Sequence, residues 1–366
     1  MKILITGSEG FIAKNLISHL ETYPDVEVIK YNRKNNIEDL YSAIDSSEII
    51  FHLAGTNRST KDSDFEEDNI NLTENIVKIL ESSIDPKKLI FSSSTQAEQK
   101  TIYGRSKFKA EKVLNQLGCK KNITLIMLRL TNVFGKWSKP NYNSVVATFC
   151  YNVMNDLPLE IHDPNKMLSL IFIDDLIENF LQHISLPIKD KGKKTIKKYN
   201  IKLGKLASLI KSFKEEKLLN DVGKDLTRVI YSTFISFKQP KDFTSKPILH
   251  VDNRGQFSEI IKTSSSGQVS FFTTKPGVTR GGHYHHTKTE KFLVVQGEAV
   301  FKFKHIVTGE EFKISVNSGD PTLVETIPGW AHDITNTGKV ENIVLLWANE
   351  IFDPLKPDTY SMELKR

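Results

Sequence analysis

The stretch Lys2-Ile-Leu-Ile-Thr-Gly-Ser-Glu-Gly-Phe-Ile-Ala13 decides the fold of the first half of this chain. Its apolar run has the length of a buried strand, two glycines follow, and a helical pattern begins directly after them. In this context Gly7 permits a tight turn, Gly10 lets a pyrophosphate approach the backbone, and Ala13 lets the helix pack closely on the sheet. Free N–H groups and the helix dipole favour phosphate at the helix start. We therefore predict a dinucleotide-binding turn, with a purely structural turn as the alternative, whose cofactor-binding residues are Gly7, Gly10, Phe11 and Ile12.

Buried-strand patterns alternate with helical patterns over residues 1–180. The predicted strands are Lys2–Thr6, Val26–Tyr31, Ile49–Ala54, Lys88–Ser93 and Ile123–Leu130. The predicted helices between them are Phe11–Glu21, Asn69–Ser82 and Lys107–Leu117. Such alternation predicts an α/β fold of the Rossmann type, a doubly wound parallel sheet covered on both faces.

The composition is that of a globular protein with about two domains. The chain has 366 residues, of which 39% are hydrophobic and 26% are charged. No apolar run approaches the ~18 residues of a membrane-spanning helix, and the apolar start stops too early for a secretory signal. The two cysteines, Cys119 and Cys150, indicate no disulfide framework and fit a reducing, cytoplasmic location.

The net charge of +6 is unevenly distributed. Residues 244–366 contain 14 basic and 14 acidic residues, so the whole positive excess lies in residues 1–243, where an anionic ligand is favoured. Six lysines fall within Lys189–Lys198, and no aromatic residues interleave with them. We interpret this run as a solvated loop and expect neither a nucleic-acid nor a membrane partner.

The sequence pattern changes near Gln239. Short alternating runs separated by Gly, Pro or Asn replace the long helical patterns. The runs are Phe257–Lys262, Gln268–Thr273, Lys291–Val295, Ala299–Lys304 and Ile343–Leu346. We therefore predict a dinucleotide-binding domain over residues 1–243 and an antiparallel β-sandwich or barrel over residues 244–366.

The end of the second predicted strand bears on the choice of cofactor. An acidic residue at this place normally binds the ribose 2′-hydroxyl of NAD. Here the strand ends in Tyr31-Asn-Arg-Lys34, with Arg33 and Lys34 where a 2′-phosphate would lie. The sequence therefore favours NADP(H), and the alternative is that both cations are simply solvated.

A tyrosine and a lysine four residues apart follow the fourth strand. Tyr103 and Lys107 lie on one face of the predicted helix. We expect the lysine ammonium to lower the pKa of the phenol, which makes Tyr103 a proton donor to a carbonyl that receives hydride. A hydroxyl at Ser94 or Thr95 could hydrogen-bond the same carbonyl, and the sequence does not choose between them. A surface Tyr–Lys pair is the alternative.

These motifs resemble the extended short-chain dehydrogenase/reductase family of nucleotide-sugar enzymes. Further matches are His52-Leu-Ala-Gly55, Asn71, Arg129-Leu-Thr-Asn-Val-Phe-Gly135 and Ile171-Phe-Ile-Asp-Asp175. The resemblance covers about residues 1–240, although only eight residues separate Ser94 from Tyr103, which is short for this family. It implies that Leu53, Ala54 and Gly55 also contact the cofactor, together with Tyr103 and Lys107.

The same resemblance implies that the stretch after Asn132 contacts the nucleotide diphosphate of a sugar. Lysine and asparagine suit phosphate oxygens, and aromatic rings suit a base or a sugar face. The predicted substrate-binding residues are Asn132, Lys136, Trp137 and Asn141. The alternative is that Trp137 and Tyr142 pack in the core.

A second set of motifs, in the β-rich half, predicts a metal site. His283 and His285 would face the same side of a strand, and Glu290 and His332 could join them from later strands. Three imidazoles and a carboxylate suit Zn²⁺ or another first-row divalent ion. His286 is left out because it would point to the opposite face. Both segments resemble the two motifs of cupins, which implies a jelly-roll barrel over about residues 245–366, and an empty or purely structural site is the alternative.

The whole chain resembles the CapF-type bifunctional enzymes of bacterial capsule and O-antigen synthesis. The resemblance rests on Gly135-Lys-Trp, Lys139-Pro-Asn-Tyr-Asn-Ser-Val145 and Arg280-Gly-Gly-His-Tyr-His-His-Thr-Lys288. It implies that the cupin domain inverts C3 of a UDP-2-acetamido-2,6-dideoxy-4-hexulose. The first domain would then reduce the C4 ketone with NADPH to UDP-2-acetamido-2,6-dideoxy-L-talose, on the route to N-acetyl-L-fucosamine.

Other readings of the two domains stay open. The cupin could be a binding or dimerisation module beside a monofunctional NADPH-dependent UDP-sugar reductase. The first domain could instead be a redox sensor without chemistry, or an epimerase or dehydratase that recycles bound NAD. The C3 base is unassigned among Tyr284, His286 and Lys288. By family analogy we expect a homodimer, formed through the cupin domain.

Overall fold

The computed structural model describes residues 1–58, 61, 63, 65, 67–192, 195–214, 222–240, 247–263 and 265–364. The chain divides into two compact units, the first comprising Met1–Lys211 and Val229–Lys238 and the second comprising Ser212–Arg228 and Gln239–Arg366. The predicted boundary between residues 243 and 244 lies outside the described residues, as do Lys193 and Lys194 of the predicted solvated loop.

A five-stranded parallel sheet forms the centre of the first unit. Its strands are β1 (Lys2–Thr6), β2 (Glu27–Tyr31), β3 (Ile49–His52), β4 (Lys87–Ser94) and β5 (Ile123–Leu130). They are ordered β2-β1-β3-β4-β5 in space, and every neighbouring pair is parallel. Doubly wound sheets of this order bind ligands beyond the carboxyl ends of β1 and β3, where the strand order reverses. The predicted Rossmann-type fold is confirmed.

Several helices of the first unit begin at a side chain that caps them. They are α1 (Phe11–Leu20), α2 (Ile37–Ser46), α3 (Leu72–Ser82), α4 (Ile102–Asn115), α5 (Val145–Met154), α6 (Ile173–Ser185), α7 (Leu203–Ser212) and α8 (Asp225–Ile235), with a π-helical turn at Glu67–Asn71 and 3₁₀ turns at Thr95–Glu98 and Gln116–Cys119. Asn36 and Asp39 form a reciprocal capping box that starts α2. The Thr101 hydroxyl accepts from the N–H of Gly104 at 3.0 Å and starts α4. In the described part of the chain, no helix combines the length and apolar character needed to cross a bilayer.

Helices cover both faces of the parallel sheet. Alternate side chains of each strand point to opposite faces, so each strand contributes to the core on both sides. On one face, buried side chains of β1, β3 and β4 pack against α2, α3 and α4; this cluster includes Leu4, Leu40, Ile44, Ile50, Ile76, Leu80, Phe91 and Leu114. On the other face, the ring of Phe51 lies 5.0 Å from the ring of Phe180 in α6. This packing holds the strand ends rigidly in place.

A small mixed sheet follows β5 and carries the loop that was predicted to bind substrate. Its strands are β6 (Asn132–Phe134), β7 (Met167–Phe172) and β8 (Tyr199–Lys202). β6 runs parallel to β7, and β8 runs antiparallel to it. The loop of residues 135–144 leaves the carboxyl end of β6, so it starts from the same edge as the ends of β4 and β5.

The second unit consists of two antiparallel sheets that face each other. Its strands are β9 (His250–Asp252), β10 (Gly255–Thr263), β11 (Gly267–Thr274), β12 (Thr279–Tyr284), β13 (Glu290–Gln296), β14 (Glu298–His305), β15 (Glu311–Asn317), β16 (Leu323–Thr326), β17 (Trp330–Asn336), β18 (Asn342–Ala348) and β19 (Tyr360–Ser361). One sheet has the order β16-β13-β18-β11-β10-β9, and the other has the order β15-β14-β17-β12-β19. Their inner faces share one apolar core, which includes Phe272, Phe292 and Val344 from the first and Phe301, Phe303 and Ile334 from the second. The predicted cupin-type jelly roll is confirmed.

Candidate functional site

The glycine turn lies at the switch point of the parallel sheet. Gly7 has φ 67°, and its carbonyl accepts from the N–H of Gly10 at 2.8 Å. A Cβ at position 7 would lie 2.6 Å from the Cα of Ala54, so the end of β1 touches the segment that follows β3. Only glycine fits both this backbone angle and this approach. Phe11 and Ile12 begin α1 directly behind the turn, where its N–H groups are free for a phosphate.

The segment Leu53-Ala54-Gly55 leaves the sheet and meets a buried asparagine. The side-chain N–H₂ of Asn69 donates to the carbonyl of Thr56 and to the hydroxyl of Ser106, both at 2.9 Å. Gly55 packs against the side-chain oxygen of Asn69. The sequence interpretation chose Asn71 instead, but the structure leaves Asn71 exposed. Asn69 therefore joins the loop after β3 to the helix of Tyr103. The sequence does not show which of the two asparagines is buried, so it could not identify Asn69.

The histidine at the end of β3 is held neutral between two threonines. The two ring nitrogens of His52 each lie 2.9 Å from a hydroxyl, that of Thr6 on one side and that of Thr73 on the other. Burial lowers the pKa of His52 to about 3, and the charge of Lys107 acts in the same direction. His52 therefore fixes the strand end and contributes no charge to the site at neutral pH.

Tyr103 and Ser94 come together at the end of β4. Tyr103 is half-buried. Burial raises the pKa of Tyr103, and a hydrogen bond with the Ser94 side chain opposes the rise without cancelling it. The expectation of a lowered pKa was wrong for the described structure, because burial outweighs the opposing contacts. The Thr95 hydroxyl instead donates to the carbonyl of Leu130 at 3.4 Å, so Ser94 is the hydroxyl that lies beside the phenol.

Lys107 lies one helical turn after Tyr103 and is buried. Its ammonium donates to the carbonyl of Ser92 at 3.1 Å and packs against Gly55 at the end of β3. Burial lowers the pKa of Lys107 to about 8, and the carboxylate of Glu111 acts in the opposite direction. At neutral pH the lysine is therefore mainly protonated. It lies in the same group of residues as the glycine turn, Ser94 and Tyr103.

A buried carboxylate anchors the helix of Tyr103 to two strands. Glu111 accepts from the Ser93 hydroxyl at 2.6 Å, and Arg129 donates to its two oxygens at 2.9 and 2.7 Å. Burial acts to raise the pKa of Glu111, but the hydrogen bonds from Arg129 and Ser93 outweigh it and lower the pKa. Glu111 was missed by the sequence analysis, although it stands four residues after Lys107 on the same helical face.

Arg33 and Lys34 lie at the end of β2, where they were predicted. Arg33 donates to the hydroxyl of Thr56 at 2.9 Å and forms an ion pair with Asp68. Lys34 lies 3.9 Å from the carboxylate of Glu9. A carboxylate from a later segment, that of Asp68, thus lies beside Arg33 and forms an ion pair with it.

The predicted substrate-binding residues lie mostly on the surface. Asn132 is exposed and donates to the carbonyl of Ser169 at 3.3 Å. The ammonium of Lys136 is 2.6 Å from the carboxylate of Asp174. Trp137 is 55% exposed, so it does not pack in the core.

The rest of the same loop stays open to solvent beside Tyr103. Asn141 is exposed and has φ 54°. Tyr142 is 37% exposed, and its electrostatic interaction with Tyr103 acts to raise the pKa of Tyr103. The loop thus presents aromatic and amide side chains next to the candidate proton donor.

The four predicted metal ligands converge inside the second unit. His283 lies on β12, Glu290 on β13 and His332 on β17, while His285 follows β12 directly. The candidate ligand atoms of the four residues lie within 4.8 Å of one another, and all but His283 are buried. The register pairs His283 with His332 across neighbouring strands. A single ion can therefore be reached from two sheets at once.

The protonation pattern of this cluster fits a bound cation. His285 Nδ1 contacts the carbonyl of Asp358, which can only accept, so Nδ1 carries the proton and Nε2 faces Glu290 at 3.2 Å. The His332 Nε2 atom lies 3.3 Å from the same carboxylate without hydrogen-bond geometry, and its buried Nδ1 has no partner among the described residues. Burial lowers the pKa of His283 to about 4, so it is neutral at neutral pH. Lone pairs turned toward one carboxylate suit Zn²⁺ or a similar ion.

Glu290 is the anionic member of this cluster. Burial acts to raise the pKa of Glu290, but the neighbouring imidazoles of His285 and His332 and the charge of Lys288 outweigh it and hold that pKa well below the ordinary range. Of the three candidate bases, His286 is exposed, and Lys288 is buried 3.5 Å from Glu290. Tyr284 stacks on Tyr360 with ring centroids 5.3 Å apart.

Known proteins resemble the chain over its whole length. Residues 3–201 match the NAD dependent epimerase/dehydratase family, and residues 250–360 match the polysaccharide biosynthesis C-terminal domain. A UDP-2-acetamido-2,6-beta-L-arabino-hexul-4-ose reductase of Pseudomonas aeruginosa is 43% identical over 365 residues, which cover 99% of this chain and 98% of that protein.

Solved structures agree with these matches. The crystal structure of the capsular polysaccharide assembling protein CapF from Staphylococcus aureus superposes with a TM-score of 0.89 at 35% identity and covers all of both chains. A UDP-glucuronic acid 4-epimerase from Bacillus cereus, in complex with NAD, has 17% identity and a TM-score of 0.56 over 65% of this chain and 98% of its own, a likeness of fold alone. The chain therefore belongs to the NAD dependent epimerase/dehydratase family, in the CapF-type group that carries a polysaccharide biosynthesis C-terminal domain.

Proposed function

We propose that this chain is a bifunctional nucleotide-sugar enzyme of capsule or O-antigen biosynthesis. The second unit epimerises C3 of a UDP-2-acetamido-2,6-dideoxy-4-hexulose, and the first unit reduces the C4 ketone to UDP-2-acetamido-2,6-dideoxy-L-talose, a precursor of N-acetyl-L-fucosamine. The observation that carries the proposal is the grouping of Tyr103, Ser94 and Lys107 beside the glycine turn. The Pseudomonas aeruginosa relative, a reductase of a UDP-linked hexul-4-ose, supports this substrate class.

In the reductive step, this chain supplies the proton and the orientation. Gly7, Gly10 and the start of α1 would hold NADPH, which would supply the hydride that the C4 carbon receives. The Tyr103 phenol is protonated at neutral pH because burial raises its pKa. It donates its proton to the C4 oxygen, which becomes a hydroxyl, and it regains a proton from solvent. Ser94 hydrogen-bonds the same oxygen, and the Lys107 ammonium stabilises negative charge that develops on the phenol.

The proposed cofactor is NADP(H) rather than NAD(H). Arg33 and Lys34 stand where the 2′-phosphate would lie, and Arg33 is 78% exposed at its side chain. The carboxylate of Asp68 would repel that phosphate if it were unpaired, but its ion pair with Arg33 removes most of the repulsion. The guanidinium has further donors with which to bind a phosphate oxygen.

For the epimerisation, His283, His285, Glu290 and His332 of the second unit would hold a divalent cation. Such an ion would supply Lewis acidity, which would make the C3 proton next to the ketone easier to remove. Return of a proton to the opposite face inverts C3, and reduction at C4 then prevents further exchange. The base comes from the group formed by Tyr284, His286 and Lys288, which flank the ligands on one segment.

Two variants test whether the activities are separate. Tyr103→Phe should abolish NADPH oxidation but leave the exchange of the C3 proton in D₂O. His285→Ala should lose bound metal and C3 exchange while the first unit still binds NADPH. Tyr41→Phe and His250→Ala, which change exposed residues outside both sites, are the controls.

The outcomes distinguish this proposal from its alternative. Absence of C3 exchange in the metal-loaded wild type would leave a monofunctional reductase whose cupin serves binding or dimerisation. Loss of both activities in either variant would contradict separate sites.

The proposal includes a cytoplasmic location and a homodimer formed through the second unit. The low cysteine content supports a reducing compartment. The mass of the full-length protein in solution, measured by light scattering across a dilution series, tests the dimer.

A further inference from the structure

The segment Asp358–Met362 lies along the segment that carries two of the candidate metal ligands. Strand β19 pairs antiparallel with β12, with His283 opposite Ser361 and Tyr284 opposite Tyr360. The N–H of Met362 donates to the carbonyl of Gly282 at 2.8 Å. This short strand places Asp358, which lies two residues before it, at the turn that leads from His285 to Glu290.

Asp358 binds that turn through its carboxylate. One oxygen accepts from the N–H of His286 at 2.9 Å. The other oxygen accepts from the N–H of Thr287 at 2.7 Å, from the N–H of Lys288 at 2.8 Å and from the Thr287 hydroxyl at 2.9 Å. Three successive backbone N–H groups thus point at one side chain, so the turn has a single favoured conformation as long as that carboxylate is present.

The backbone of Asp358 acts on a ligand itself. Its carbonyl accepts from Nδ1 of His285, which fixes the tautomer and turns Nε2 toward Glu290. A metal-binding histidine commonly donates its second ring N–H to such a group, which sets the ring orientation. The same residue therefore fixes the rotation of one ligand and the path of the chain to the next ligand.

We propose that Asp358 is a positioning residue of the metal centre, holding His285 and the turn of residues 286–288 in the arrangement that receives the ion. The inference rests on the metal centre of the proposed function. Asp358 does not contact the ion and acts through His285 and the turn. Its loss would leave the four ligands present but loosely arranged.

The test measures Zn²⁺ affinity of the full-length chain by competition with a chromophoric chelator. Asp358→Ala removes the carboxylate that holds residues 286–288 but keeps the carbonyl that accepts from His285, so it should bind Zn²⁺ about 10-fold more weakly than the wild type, at the low end of the usual cost of losing an outer partner of a metal site. Asp358→Asn keeps the volume of the side chain but loses one acceptor oxygen, so its Zn²⁺ affinity should lie between those of the wild type and Asp358→Ala. Asp353→Ala is the matched control, because this aspartate caps the N–H of Leu355 in the same C-terminal segment.

Amide hydrogen exchange at residues 286–288, measured without metal, gives a second readout. Exchange should be slow in the wild type and in Asp353→Ala, and at least tenfold faster in Asp358→Ala. An unchanged far-UV circular dichroism spectrum and thermal unfolding of the full-length variant will verify that its second unit is folded. If Asp358→Ala binds Zn²⁺ as tightly as the wild type does, Asp358 is not a positioning residue, although the metal centre itself is supported. If the wild type itself binds no Zn²⁺, the proposed metal centre is wrong. If amide exchange at residues 286–288 is also unchanged in Asp358→Ala, the carboxylate of Asp358 does not hold the turn either.

Discussion

Replacement of Glu111 by glutamine should move the alkaline limb of the reductase pH profile. Glu111 is buried, and its carboxylate is the group that raises the pKa of Lys107 against the effect of burial. Removal of that carboxylate leaves the buried Lys107 ammonium without its neighbouring anion, while Arg129 keeps its ion pair with Glu98. The pKa of Lys107 must then fall, so the ammonium form that supports proton transfer is lost at lower pH.

The size of the effect follows from the spacing of the charges. Side chains four residues apart on a helix lie about 6 Å apart, and unit charges at that distance interact by about 1.4 kcal/mol at an effective dielectric constant of ~40. This energy equals about one pKa unit, so the pKa of Lys107 should fall by about one unit from its value of about 8. At pH 8 the protonated fraction then drops from about a half to about a tenth, and at pH 6 it hardly changes.

The assay is the pH dependence of kcat/KM for NADPH, which reports the ionisations of the free enzyme. In the wild type, kcat/KM should decline as the pH rises through about 8, and in Glu111→Gln the decline should begin about one unit lower. His52 also faces Lys107, but its pKa of about 3 keeps it neutral throughout this range. Glu98→Gln is the control, because Glu98 pairs with the same Arg129 at 2.5 Å from a 71% exposed position.

A purely structural role for Glu111 has a different signature. Loss of a buried charge partner destabilises the folded state by about 3–5 kcal/mol, and the resulting loss of activity would be the same at every pH. Thermal unfolding of both variants measures that contribution. An alkaline limb that stays in place in Glu111→Gln would refute the electrostatic reasoning.

Two further substitutions test the cofactor site. Arg33→Ala should raise the KM for NADPH about tenfold and leave that for NADH nearly unchanged, because a charge-assisted hydrogen bond of about 1.5 kcal/mol is lost only with the 2′-phosphate; equal losses with both cofactors would contradict the assignment. Gly7→Ala should prevent tight NADPH binding in a titration, because a methyl group would lie 2.6 Å from the Ala54 backbone at φ 67°, and the backbone strain alone costs about 1–2 kcal/mol. Gly118→Ala, where a methyl group meets open space, is its control, and wild-type affinity in Gly7→Ala would argue against the assigned turn.

Most of the fold was predictable because its strands are continuous apolar runs. The bounds of β1 and β5 were predicted without error. Burial accounts for β1, in which every residue after Lys2 is buried, whereas β5 exposes Met127 and Arg129 and was recognised from the length of its apolar run. Helix α2 was missed because it buries only three residues, although Asn36 and Asp39 mark its start. Strand β12 was also missed as a run, because Gly281 and Gly282 interrupt the alternation that predicts strands.

The candidate site was predictable where a motif lies within one element. The spacing of Tyr103 and Lys107 follows from one helical turn, and that of His283 and His285 follows from one extended segment. Burial could not be predicted in the same way. The expected pKa of Tyr103 was therefore wrong in direction, and Asn71 was chosen where Asn69 is the buried residue.

Glu111 and Asp358 do not take part in the proposed chemistry, and only the first of them could have been identified from the sequence. Glu111 lies four residues from Lys107, so helical spacing alone places it on the same face. Asp358 lies 73 residues from His285 and reaches it through a two-residue strand, which is too short to produce a pattern. Motifs therefore identify groups whose spacing follows the period of one helix or strand, as for Tyr103 and Lys107. A group that orients them is identified in the same way when it lies on the same element, as Glu111 does. Asp358 lies on another element, and only the pairing of β12 with β19 places it beside His285.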